Sequence, residues 1–156
     1  MLPDGLEQLF QKHNQSDELR PIIDVYDALT LRRENACKPF PGEEFGEAER
    51  IQANGLVFRQ VLLHRSILLF EGSVKAAVDE NAYSMILSIR GHFETTGSLG
   101  YFHQRLSSLR KGNISTETLD RDLTVQLLGV GQNIIPQAPD PKNVLSMLEY
   151  ADKSVG

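Results

Sequence analysis

At 156 residues, 40% hydrophobic and 24% charged, the chain has the size and composition of one ordinary globular domain with its own core, not of a disordered tail. Its formal net charge of −5 opposes broad attraction to a phosphate backbone, and its single cysteine, Cys37, excludes an internal disulfide. Arg59, His64, Arg65, Glu71 and Lys75 interrupt the most apolar region, so no run reaches the roughly 18–20 residues of a membrane span. No secretory-type leader is legible either, and the expectation is a cytoplasmic single domain over residues 1–156.

The periodicity predicts helices throughout. Leu6, Leu9 and Phe10 recur at helical spacing after Pro3 and Asp4, and residues 14–17 punctuate the end of that first helix. Ser16 is placed to cap a second helix carrying Leu19, Ile22, Ile23, Tyr26, Leu29 and Leu31, with Pro21 in or near its first turn and an end near Ala36. Two prolines and a glycine within residues 38–42 break the chain.

From about Glu43 to Val78 the apolar positions cover more than one stripe, as in a helix contacted on several sides. Residues 79–81 turn the chain into a second long helix, in which Met85, Ile89, Phe93 and Leu99 share a broad face with His92 and Thr96. These two helices, over about 44–112, are expected to form an antiparallel hairpin. Residues 95–100, Thr-Thr-Gly-Ser-Leu-Gly, have poor helix propensity, yet a continuous helix is expected through them. Lys111-Gly-Asn113 ends the hairpin, and Ser115 opens a capped helix through Leu119, Leu123 and Leu127 that Gly129 and Gly131 terminate. An extended stretch follows to Pro139, then Asp140 and Pro141 launch a last helix through Tyr150. The fold class is all-α: a bundle of five or six helices around the long hairpin.

Several polar residues of the hairpin carry candidate chemistry. Arg90 and Glu94 lie four apart and can pair on one helix face. A tight turn near Asn81 would bring Glu71 to the height of Arg90, allowing a buried cluster of Glu71, Arg90 and Glu94; structural pairing is the simpler account of it. Tyr83, Arg90, Glu94 and Tyr101 fall on one side of the second long helix and, with Glu71, could line a small-ligand pocket. His92 and His103 are eleven apart, about 16 Å along a helix axis, so they cannot share a metal. No Glu-x-x-His pair occurs on the long helices, and no metal or other cofactor is expected. Arg32, Arg33, Arg105, Arg110 and Lys111 are explained first by helix ends and solubility and second by RNA contact. Gly91, Gly97 and Gly100 suit a close helix approach, either in a homodimer through this helix or within the chain against residues 115–130.

The string from Asp79 to Thr95, Asp-Glu-Asn-Ala-Tyr-Ser-Met-Ile-Leu-Ser-Ile-Arg-Gly-His-Phe-Glu-Thr, resembles bacterial helical domains of the HEPN superfamily, whose second long helix carries Arg-x-x-Phe-Glu. Here that pattern is Arg90 to Glu94, and the similarity extends over residues 47–110. The resemblance implies a nucleic-acid-linked or defence setting, commonly as a dimer. Catalytic members cut RNA without metal through an Arg and a His separated by some four to six residues, which Arg59-Gln-Val-Leu-Leu-His64 formally matches. Gln60 departs from the Asn, His or Asp that commonly follows the Arg. Five residues also rotate a helix by about 140°, so Arg59 and His64 need a partner surface to converge. Three readings follow: a helical binding and assembly module with little or no catalysis, which leads; a metal-independent RNase using Arg59 as phosphate holder and His64 as general acid or base; and a small-ligand bundle with its pocket near Arg90.

Overall fold

A computed structural model describes residues 3–34, 46–128 and 147–149. The chain is all-α, with α1 (Leu6–Lys12), α2 (Ser16–Leu31), α3 (Glu47–Val78), α4 (Ala82–Arg110) and α5 (Thr116–Leu128), and residues 147–149 are helical as well. Among the described residues no helix is long and apolar enough to cross a membrane.

Local chemistry explains most of the boundaries. The α3–α4 turn closes with Asn81 N–H on the Ala76 carbonyl at 2.8 Å, Glu80 takes a left-handed φ of 54°, and the Asn81 side chain accepts the Ser84 N–H at 3.0 Å to cap α4. At the far end, Gly112 has φ 72°. The N–H groups of Asn113 and Gly112 reach the carbonyls of Ser108 and Leu109, each at 2.9 Å, a Schellman closure that favours glycine. The Ser115 hydroxyl accepts the Thr118 N–H at 3.3 Å and caps α5 as expected. Helix α4 runs unbroken through residues 95–100.

Helix α2 departs from expectation at both ends. Gln15, not Ser16, occupies its N-cap, with no side-chain cap bond, while Pro21 lies inside the helix just past its first turn. Its last residue is Leu31, short of Ala36, and the Arg32 guanidinium donates back to the Ala28 carbonyl at 2.7 Å. That bond satisfies a carbonyl the helix end would otherwise leave open. The expected break at 38–42 and extended stretch to Pro139 lie outside the described residues, as does most of the expected last helix.

The chain divides into two compact units, Met1–Asn35 with Leu63–Phe93, and Ala36–Leu62 with Glu94–Gly156. In the first, the later half of α3 runs antiparallel to the start of α4, with Gly72 facing Ser88 and Gly91 facing Leu69. Its buried apolar residues are Leu6, Tyr26, Ile67, Val74 and Ala76, and the Tyr26 and Phe70 rings lie 5.3 Å apart. In the second, Phe58, Leu62, Leu119 and Leu123 form the core, with Ile51, Phe102, Leu109, Ile114 and Leu127 packed on it. Phe58 and Phe102 meet edge to face at 5.3 Å, a favoured ring geometry. The Arg105 Nε donates to Asp122 Oδ2 at 2.6 Å, with its guanidinium also 5.9 Å from the Tyr101 ring centre.

Candidate functional site

Helix α4 is turned inside out over its first three turns. At about 100° per residue, Ser84, Ser88, Gly91 and Thr95 form one stripe at i, i+4, i+7 and i+11. Ser84 and Ser88 are half-buried, and Gly91 and Thr95 are buried. The helix therefore packs its small and polar residues inward. A Cβ placed on Gly91 would stand 2.6 Å from Leu69 Cδ2, and one on Gly72 of α3 would stand 3.5 Å from Ser88 Oγ. These glycines let α3 and α4 approach closely, so the intrachain neighbour of Gly91 is Leu69 of α3 and not residues 115–130 as expected.

Apart from Met85, which is half-buried, the large apolar side chains of this segment point outward. Tyr83 is 73% exposed, Ile86 60%, Leu87 48%, Ile89 44% and Phe93 60%, and with Arg90, also exposed, they fill an arc of about 160° around the helix. The other exposed large apolar residues described in this unit, Val25, Leu31, Leu68 and Val78, are spread over two other helices. Five in eleven residues on one face form a patch, whereas scattered single residues carry no meaning. Sequence reading grouped Ile89 and Phe93 correctly but did not say that their face was the open one. The signal that could have done so was the small-residue stripe opposite.

Of the proposed ligand residues, Glu71 lines a cleft of about 530 Å³ with Pro3, Asp4, Tyr26, Lys75, Val78 and Asp79; Tyr83, Arg90, Glu94 and Tyr101 are not part of its wall. Arg90 is exposed, which removes it from the buried cluster that spacing allowed. Glu94 is half-buried, with its backbone carbonyl accepting the Ser98 hydroxyl at 3.0 Å. Tyr101 is buried in the other unit. In the cleft, the Tyr26 hydroxyl donates to Glu71 Oε1 at 2.7 Å, and Lys75 pairs with Asp79 at 2.8 Å. Tyr26, 45 residues from its partner, was missed from sequence.

Burial, then the hydrogen bond to Glu71, raises the Tyr26 phenol above its usual 10.0. The folded state thus holds the phenol proton more tightly than the unfolded chain. Its contribution is complete below pH 10 and is lost as pH rises through the folded-state value. Tyr26→Phe is expected to lower stability by about 1 kcal/mol at neutral pH and to flatten the decline above pH 10. Urea melts at pH 7 and across the alkaline range check both; an unchanged midpoint at pH 7 would remove the bond from the energetics.

The residues of the formal RNase pair occupy different settings. Arg59 is exposed, beside a buried Gln60. A His64 ring nitrogen lies 2.9 Å from the Glu34 backbone carbonyl, so it donates there and the imidazole is tied to the chain. His92 is half-buried, and burial lowers its pKa below 6.5. Among the described residues no group of three or more His, Cys, Asp or Glu could hold a metal ion. Compared with known proteins, the chain matches no family profile, no curated protein and no solved structure.

Proposed function

We propose that this chain is a helical assembly module that binds an apolar protein surface through the outer face of α4, and that it is not an enzyme. The carrying observation is the inverted helix: Tyr83, Ile86, Leu87, Ile89 and Phe93 are exposed together, while the same helix packs inward through Ser88 and Gly91. An aromatic-rich apolar patch with one arginine has the composition of an interface centre. In this reading His64 is structural, holding the segment after α2 through the Glu34 carbonyl. The HEPN resemblance enters only as a dimer-forming helical scaffold.

The test uses the neutral apolar dye Nile red at low protein concentration, on the wild type and on the double variant Ile86→Lys, Phe93→Ser. Both positions are exposed, so folding stability should stay within about 0.5 kcal/mol. The wild type should enhance dye emission several-fold over the variant; equal emission removes the docking face. In parallel, labelled single-stranded RNA should survive equally with wild type and His64→Ala. Cleavage that disappears with His64 would replace this reading with the RNase.

A further inference from the structure

Building on that reading, we infer that the occupant of the α4 face is a second copy of this chain, bound about a two-fold axis that crosses α4 near residue 88 with the helices antiparallel.

Two arguments select this partner and this geometry. The first is area. With aromatic side chains of roughly 150–250 Å² and aliphatic ones somewhat smaller, the exposures of Tyr83, Ile86, Leu87, Ile89 and Phe93 leave on the order of 500 Å² of apolar surface per copy. A two-fold pair buries twice that, about 1,000 Å², which reaches the lower bound of a specific interface before any rim is counted.

The second argument is self-complementarity. Tyr83, Ile86, Arg90 and Phe93 follow the 3-4-3 spacing of a helix-pairing seam. A two-fold interface must match this seam to itself. Parallel pairing would set Arg90 against its own copy, placing two like charges in a seam being stripped of water. Antiparallel pairing about residue 88 removes that conflict. Residue i then lies level with residue 176−i of the other copy, so in the seam Arg90 lies over Ile86 and Tyr83 over Phe93, while Leu87 and Ile89 line its two opposite edges, each beside its own counterpart. The arginine stem can lie along an aliphatic side chain while its head reaches the edge, and two aromatic pairs bracket the contact. All of these residues belong to one compact unit, so the interface needs nothing from the other.

Light scattering on the purified chain from about 1 to 200 µM tests the inference. The expectation is a rise from one to two chain masses with a dissociation constant on the order of micromolar, as suits an interface at the small end of the range. Ile86→Lys should raise that constant at least about tenfold, because the new ammonium faces Arg90 of the other copy. Ile86→Glu should raise it less, since it meets the same arginine with opposite charge. A monomer throughout, with the Nile red difference intact, overturns the second copy and leaves the docking face. A monomer with no dye difference overturns both. A dimer indifferent to Ile86→Lys, or one weakened more by Glu than by Lys, overturns the antiparallel α4 pairing.

Discussion

Arg105→Met is expected to lower the unfolding free energy by about 2–4 kcal/mol. The Arg105 Nε donates to Asp122 Oδ2 at 2.6 Å, and the two side chains are 22% and 5% exposed. Breaking a buried ion pair at one partner leaves the other charge uncompensated in a poor solvent for it, a loss of about 3–5 kcal/mol when both groups are deep. The partial exposure of Arg105 lets water reach the carboxylate and trims that figure. The methionine keeps the stem's packing, so the loss reports the charge and not the volume. Adding Asp122→Leu should restore part of the stability, because an apolar pair removes the unpaired charge that the single variant creates. Urea unfolding of the wild type, both single variants and the double variant measures the coupling. A single variant within 0.5 kcal/mol of wild type, or strictly additive losses, would show that the pair contributes little. The same contact bears on RNA: Arg105, one of the basic residues at the end of α4, is already engaged by Asp122.

What could be read in advance follows from the range of the forces involved. The Asn81 turn, the Gly112 closure and the Ser115 cap are decided by residues within a few positions of each other, and all were legible. So was the long hairpin, since apolar residues on several sides of residues 47–78 require neighbours. The end of α2 at Leu31 was not, because the apolar pattern falls off gradually and no glycine marks the stop. The orientation of α4 is a different kind of miss. A 3.6-residue period says which residues share a face, but not which of two faces finds a partner, and α4 offers an apolar face and a small polar one. Hydrophobicity favours the first, whereas close approach to α3 at Gly72 and Leu69 selected the second. The Tyr26–Glu71 bond spans 45 positions, and no local rule connects them; only Glu71 was picked out, and on other grounds.

Gly91→Leu should destabilise the fold by about 1–2 kcal/mol net, and it tests which side of α4 the glycine serves. Even a bare Cβ at Gly91 would come within 2.6 Å of Leu69 Cδ2 and 3.0 Å of Cδ1, so a leucine must displace that side chain or push the helices apart. Overpacking of this kind typically costs about 1–3 kcal/mol and occasionally more, against which leucine recovers just under 1 kcal/mol of helix propensity over glycine. Leu69→Ala alone should also destabilise, by opening space beneath the helix. Combined, the two changes exchange volume across one contact, and the double variant should lose at least about 1 kcal/mol less than the sum of the single losses. Urea melts at two protein concentrations separate this from an intermolecular role. A glycine that served contact between copies would leave the monomer's stability intact and change the mass instead. The expected loss is the same at both concentrations and is relieved by Leu69→Ala; failure of that relief would move Gly91 from the α3 contact to another surface. Because the outward residues Tyr83, Ile86 and Phe93 are untouched, any double variant that recovers its fold should also recover the docking face.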